Sequence, residues 1–138
     1  MVSLRPATEA DLDEIWRIQS ACGQAAQWRP SDYLLHECIV AVAEDRLVGF
    51  AVARRTAPDE IEILNVAVHA ASRRRGIGRN LIRELIGKNP ASVFLEVRQS
   101  NFAARKLYHS LGFEVTGVRP DYYSQPIESA IVMKFHSC

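Results

Sequence analysis

Cysteine is scarce in this chain. Cys22, Cys38 and Cys138 are the only three; the number is odd and no two form a C-x-x-C pair. A disulfide framework and a zinc site of ordinary spacing are both excluded as expectations, and a reducing compartment suits the chain better. Histidine is sparse too. His36, His69, His109 and His136 are scattered without metal-ligand spacing, so no metal is expected. Neither sign of charge dominates: 17 Lys plus Arg stand against 16 Asp plus Glu, a net charge of +1. A dedicated nucleic-acid binder would be strongly basic, so no direct nucleic-acid partner is expected. No apolar run has the length needed to span a bilayer. The opening stretch, "MVSLRPATEADLDEI", is too acidic and polar for a secretion signal. Repeats, low-complexity tracts and long linkers are also missing. The expectation is one soluble cytoplasmic domain over residues 1–138, with 48% apolar residues to build one core.

What is present alternates between two periods. Thr8 and Asp11 resemble a capping box, after which Leu12, Ile15, Trp16 and Gln19 follow helical spacing. "CIVAVAEDRLVGFAVARR" reads as two strands about a Glu44-Asp45-Arg46 turn, and "EIEILNVAVHA" as a third. From Gly76 the period becomes helical: Leu81, Ile82, Leu85 and Ile86 share a side, and Gly87 with Asn89-Pro90 ends the helix. "SVFLEVR" is a strand. "NFAARKLYHSLGF" is a helix with Asn101 near its cap, Leu107 and Leu111 inward and Gly112 as its stop. Two strands follow, "FEVTGVR" and "SAIVMKF". Such an order predicts an α/β chain with a mixed sheet.

The densest signal is "SRRRGIGRNL". The first amides of a helix lack internal partners and carry the positive end of its dipole. Gly76 and Gly78 let an anion approach the backbone, and Arg73, Arg74, Arg75 and Arg79 surround it with charge. A solvated glycine turn is the plainer alternative. The Walker string G-x-x-x-x-G-K-[ST] is absent. A dinucleotide fingerprint fails because Leu81 stands where its third glycine belongs, and three strands already precede the turn.

Arg73-Arg74-Arg75-Gly76-Ile77-Gly78 instead fits R-x-x-G-x-G and resembles the pyrophosphate-binding turn of the GNAT acetyltransferases. "LNVAV" before it, "LEVRQSNFAARKLYHSLGF" after it and "RPDYYSQPIESAIVM" near the end are similar to the RimI-type branch; "QWRPSDY" resembles that branch's Trp-Ser segment loosely. The resemblance implies a single GNAT domain with a twisted, mostly antiparallel sheet of six to seven strands and about four flanking helices. It implies acetyl-CoA as cosubstrate and a protein N-terminal amine as acceptor, in this branch the N-terminal alanine of a ribosomal protein. It also implies contacts to coenzyme A from Val66, Ala67, Val68, residues Arg73 to Arg79 (Ile77 included) and Asn101, and a peptide wall from Tyr122 and Tyr123. By the same resemblance Glu96 is the general base and Tyr108 the general acid. A monomer or weak dimer is expected.

In isolation those two residues read otherwise. Glu96 fits an open strand face or an ion pair with an arginine such as Arg98, and Tyr108 fits an ordinary core aromatic. Together they make sense geometrically: Glu96 is about 7 Å from its strand's end and Tyr108 about 10 Å into the next helix. A helix folding back along the sheet brings them level. A small-amine acetyltransferase, a non-catalytic coenzyme A-binding module and a nucleotide-binding protein are the competing readings.

Overall fold

A computed structural model describes residues 1–22, 29–88, 92–124 and 126–136. Trp28 of "QWRPSDY", the predicted Asn89-Pro90 helix stop and Cys138 lie outside the described residues. In chain order the elements are β1 (Val2–Pro6), α1 (Leu12–Ala21), α2 (Pro30–Tyr33), β2 (Glu37–Ala43), β3 (Arg46–Ala57), β4 (Glu60–Val68), α3 (Ile77–Lys88), β5 (Ser92–Arg98), α4 (Phe102–Ser110), β6 (Glu114–Tyr123) and β7 (Glu128–His136). They build one seven-stranded sheet in the order β1-β2-β3-β4-β5-β7-β6. Among the described residues only β4 and β5 pair in parallel, and α3 is the crossover between them. Fold class, strand count and helix count agree with the reading of the sequence.

Local chemistry accounts for the ends of the elements. The Asp11 carboxylate accepts from the Thr8 amide at 2.8 Å and receives a forked pair of bonds from Arg5 at 2.8 and 2.9 Å, so the helix entry is tied to β1. The β2–β3 turn has Glu44 at φ 52° and Asp45 at φ 62°, the left-handed pair of a two-residue hairpin. At the end of α4, the Phe113 amide donates to Tyr108 O and the Gly112 amide to His109 O, with Gly112 at φ 99°. This is a Schellman stop, and its apolar contact is the Tyr108–Phe113 ring pair, 5.5 Å between centroids.

Two readings need correction. The buried stripe of α1 is Ile15, Ile18, Gln19 and then Cys22, whereas Trp16 is 59% exposed. That stripe is the i, i+3, i+4, i+7 series from Ile15, and Trp16 stands one residue, about 100°, off it. The last long hairpin begins one residue later than predicted, because Phe113 is buried in the helix stop, and β6 continues to Tyr123. Tyr122 and Tyr123, beyond the predicted strand, are thus strand-end residues.

The sheet has a core on each face. Ile61, Ile63, Leu81, Leu85, Leu95 and Met133 belong to the α3–α4 side; Ile15, Ile18, Tyr33, Phe50 and Ala67 belong to the α1–α2 side. Strand β4 contributes to both because it is bulged. Ala53 opposes Ile63 while Val52 opposes Asn65, leaving Leu64 as the extra residue. One extra residue exchanges the faces, so Ile61 and Ile63 point to one core and Ala67 to the other.

Candidate active site

The β4–β5 ladder pairs Glu60 through Ile63 with Ser92 through Leu95, and ends there. Beyond it β4 stays bonded to β3 through Val68, and β5 to β7 through Arg98. Asn65 to Val68 and Glu96 to Arg98 therefore border a gap opened where the bulge begins. Backbone polar groups of Val66, Ala67 and Val68 that do not pair with β3 line its edge, as on any unpaired strand.

At the far end of β4 the Gly-rich turn starts. The Asn80 amide donates to Gly76 O at 3.0 Å as the first bond of the α3 ladder; the amides of residues 74–79 before it have no backbone carbonyl partner among the described residues. Arg74 at φ 68° and Gly76 at φ 75° turn the chain so that these amides cluster. A Cβ on Gly76 would meet nothing within 4 Å, whereas one on Gly78 would touch Leu107 Cδ2 at 3.5 Å and Val68 Cγ2 at 3.8 Å. Gly78 is therefore the knuckle where α3, the end of β4 and α4 converge. Two arginine side chains turn inward: Arg73 Nε donates to Val68 O at 3.2 Å and its Nη2 to Cys22 Sγ at 3.3 Å, and Arg79 Nη2 donates to Ser110 Oγ at 2.9 Å. Asn101 caps α4, its Oδ1 accepting from the Ala104 amide at 3.2 Å.

Glu96 is the first residue past the end of the ladder, at the mouth of the gap. Its side chain is 12% exposed; Oε1 pairs with Arg119 Nε at 3.3 Å, and Oε2 is buried with no hydrogen-bond partner. Arg98 is not its partner. Arg98 pairs with Glu128 at 3.4 Å and lies 4.4 Å over the Tyr123 ring. Bonds from Ser100 and Arg98 hold the Glu128 carboxyl below the usual carboxylate range.

Three tyrosines complete the cluster. Between Arg119 and Tyr123, β6 sets residues 120–122 against the single residue Ser129, with Asp121 at φ 53°, and this bulge brings the two tyrosines beside Glu96. Tyr122 and Tyr123 meet edge to face at 5.1 Å, and Arg119 lies 5.2 Å over Tyr122. Burial, with the Glu96 charge behind it, pushes the Tyr123 hydroxyl up to about 12 and raises that of Tyr122. Tyr108 is buried; burial, and secondarily Tyr123, raises its hydroxyl well above the ordinary phenol range, so it stays protonated.

The predicted residues fall in two groups on either side of the gap: Val66 to Arg79 on one, Glu96, Tyr122 and Tyr123 on the other, with α4 carrying Asn101 and Tyr108. Arg119 was not anticipated. Its pairing with Glu96 follows from strand register across β7, which no local pattern encodes. A cavity of about 460 Å³ lies at the opposite end of β4, lined by Leu35, His36, Arg54 and Ile61 among others, and none of the predicted site residues lines it. Among the described residues no helix is long and apolar enough to cross a membrane, and no three His, Cys, Asp or Glu side chains could hold a metal ion.

Residues 7–113 match the acetyltransferase (GNAT) family. The ribosomal protein bS18-alanine N-acetyltransferase of Salmonella typhimurium is 34% identical over 134 residues, 89% of this chain and 89% of that protein. An uncharacterised protein of Mycobacterium leprae is 41% identical over 104 residues, which are 72% of this chain and only 29% of that protein's length. Among solved structures, the ribosomal-protein-S18-alanine N-acetyltransferase of Escherichia coli superposes with a TM-score of 0.86 at 28% identity, covering 100% of this chain and 96% of that one.

Proposed function

Because the chain belongs to the acetyltransferase (GNAT) family, we propose that it transfers the acetyl group of acetyl-CoA to the α-amine of a protein N-terminus. The N-terminal alanine of a ribosomal protein is the acceptor to which the names of its relatives point. The observation that carries the reading is the gap itself, with unbonded turn amides at one end and a carboxylate with a buried, unpartnered oxygen at its mouth.

The residues suit coenzyme A. Clustered amides of residues 74–79 and the open space at Gly76 fit a diphosphate. The edge of Val66, Ala67 and Val68 fits an extended amide-bearing arm, which would lie in the gap like an added strand. Asn101 stands at the start of α4, already engaged as a cap through Oδ1, and its side-chain Nδ2 would donate to the arm.

The chemistry requires a neutral amine. An α-amino group has a pKa of about 8, so much of it is protonated near neutrality. Glu96 takes that proton, directly or through water, and the amine attacks the acetyl carbonyl. The C–N bond forms, and the oxygen's developing charge is met by an N–H of the Val66 to Val68 edge. The C–S bond then breaks: the departing thiolate receives the Tyr108 proton, and the new amide nitrogen gives up its extra proton through water, which restores the Tyr108 phenol. Tyr122 and Tyr123, across the gap mouth, form the wall against which the acceptor's first residues lie.

Thiol release from acetyl-CoA tests this, with a peptide beginning in alanine and the same peptide N-terminally blocked. Release with the free peptide alone is expected. No release with either peptide, together with release to a small amine, would move the assignment to a small-molecule acceptor.

A further inference from the structure

Three buried polar side chains meet beneath the β4 bulge. Gln19 of α1 is 2% exposed, Tyr33 of α2 1% and Asn65 of β4 6%. Tyr33 OH donates to Gln19 Oε1 at 2.5 Å; Asn65 Nδ2 donates to the same oxygen at 3.2 Å and to the Tyr33 oxygen at 3.1 Å. Chemically the ring is self-consistent. The amide's two hydrogens go to two acceptors, the phenol gives one bond and takes one, and the glutamine oxygen uses both lone pairs. Around it the core is apolar, with Ile15, Ile18, Phe50 and Val52. Burial pushes the Tyr33 hydroxyl up to about 12, as expected of a phenol held away from water.

Asn65 is the residue immediately after the extra residue, Leu64, and immediately before the open edge at Val66. Shifting β4 by one residue would remove the bulge and turn Asn65 toward the α3–α4 core, away from both partners. The apolar residues alone discriminate poorly between the two registers, since "ILNVAV" offers aliphatic side chains on either face. A polar group bonded to Gln19 and Tyr33 on the α1–α2 side does discriminate, as a single buried asparagine sets register in a coiled coil.

We infer that the Gln19–Tyr33–Asn65 ring is a register pin: it holds the β4 bulge in place and thereby aims the edge of Val66, Ala67 and Val68 into the gap. This makes Asn65 a positioning residue for the cosubstrate. The inference rests on the proposed binding of coenzyme A along that edge, but its structural half stands apart from it.

The test compares the wild type with Asn65→Leu, which keeps the branching of the side chain and removes the donors, and Tyr33→Phe, which removes one hydroxyl. Amide hydrogen exchange is followed along β4, and coenzyme A binding is titrated on the same samples. The expected result for Asn65→Leu is exchange at 64–68 faster by about tenfold or more, exchange at 60–63 within about twofold of wild type, and coenzyme A binding weakened about tenfold. Tyr33→Phe should show the same pattern, smaller. A wild-type exchange profile in both variants, or acceleration spread evenly over the whole of β4, would overturn the pin. Coenzyme A failing to bind the wild type would remove the functional reading, while the exchange profile would still decide the pin.

Discussion

Two glycines of the glycine-rich turn, two residues apart, should respond to alanine with opposite signs. Gly76 sits at φ 75°, so an alanine there is held in the left-handed region at a cost of about 1–2 kcal/mol. Its new methyl meets no protein atom within 4 Å, so strain is the whole stability effect. Gly78 lies in the first turn of α3, and its methyl would make ordinary contacts with Leu107 and Val68. There alanine gains helix propensity, from a few tenths to about 1 kcal/mol. With an unfolding entropy of roughly 2.1 cal/mol/K per residue, the 138 residues give about 0.29 kcal/mol/K. Gly76→Ala should then lower Tm by about 3–7 °C, and Gly78→Ala raise it by about 1–3 °C. Binding should separate them again. The Gly76 methyl points into the space proposed for the diphosphate, and losing one bond to a charged group costs about 1.5–3 kcal/mol, a Kd raised roughly ten- to a hundredfold. The Gly78 methyl faces α4 and β4, so its Kd should stay near wild type. Thermal melts and calorimetric titration of coenzyme A measure both. A Gly76→Ala protein that melts lower yet binds coenzyme A as the wild type does would refute the turn as the anion site. Equal Tm shifts in the two variants would refute the backbone argument.

Tyr108→Phe should lower kcat by about a hundredfold or more while leaving the acetyl-CoA KM within about twofold, as loss of a proton donor predicts; Glu96→Gln should do likewise. Arg119, 58% exposed, contributes little through its pair, about 0–1 kcal/mol, so Glu96→Gln should keep the fold. A variant with unchanged steady-state rates would exclude the role assigned to its residue. Stability should fall at alkaline pH. Burial raises the Cys38 thiol to about 12 from 9.0, and the Tyr33 and Tyr123 hydroxyls to about 12 from 10.0. Each group stays neutral in the folded chain while its unfolded counterpart ionises, so their contribution is complete below the unfolded pKa and drains away as pH rises toward 12. Melts recorded in steps upward from neutrality should show Tm falling from about pH 9, and Cys38→Ala should delay that onset toward the tyrosine range; an onset unmoved by the substitution would clear the thiol of any part in it.

Much of this architecture can be read from the chain because local rules agree with it. Thr8 and Asp11 announce a helix entry, Gly112 a helix stop and Gly76 a tight turn, and each does so through backbone chemistry that needs no distant partner. The alternation Glu60-Ile61-Glu62-Ile63 likewise announces a half-buried strand. What escapes reading is set by register. Leu64 is an ordinary aliphatic whose role as the bulge residue depends on how β3 pairs on either side of it. Arg98 is two residues from Glu96 and looks like its partner, but same-face neighbours on a strand compete with residues two strands away, and Arg119 wins that place. Trp16 misleads for a simpler reason: a large apolar side chain attracts a helix stripe in any count of hydrophobics, although Ile18 is the residue on the buried line. Tyr122 and Tyr123 follow a proline and look like loop, and only the three-against-one bulge of β6 returns them to the sheet.

The short parallel ladder has a consequence for the life of the molecule. Four residue pairs join β4 to β5, and past them the sheet is two leaves, β1 to β4 and β5 to β7, hinged along one seam. A seam of that kind is where such a sheet should breathe first, and an extended molecule laid along it would bridge both leaves. Its stabilisation grows as RT ln(1 + [L]/Kd), about 2.7 kcal/mol at a hundredfold excess. If coenzyme A lies along the Val66 to Val68 edge as proposed, the protein's resistance to proteolysis should therefore rise with the concentration of its acyl donor.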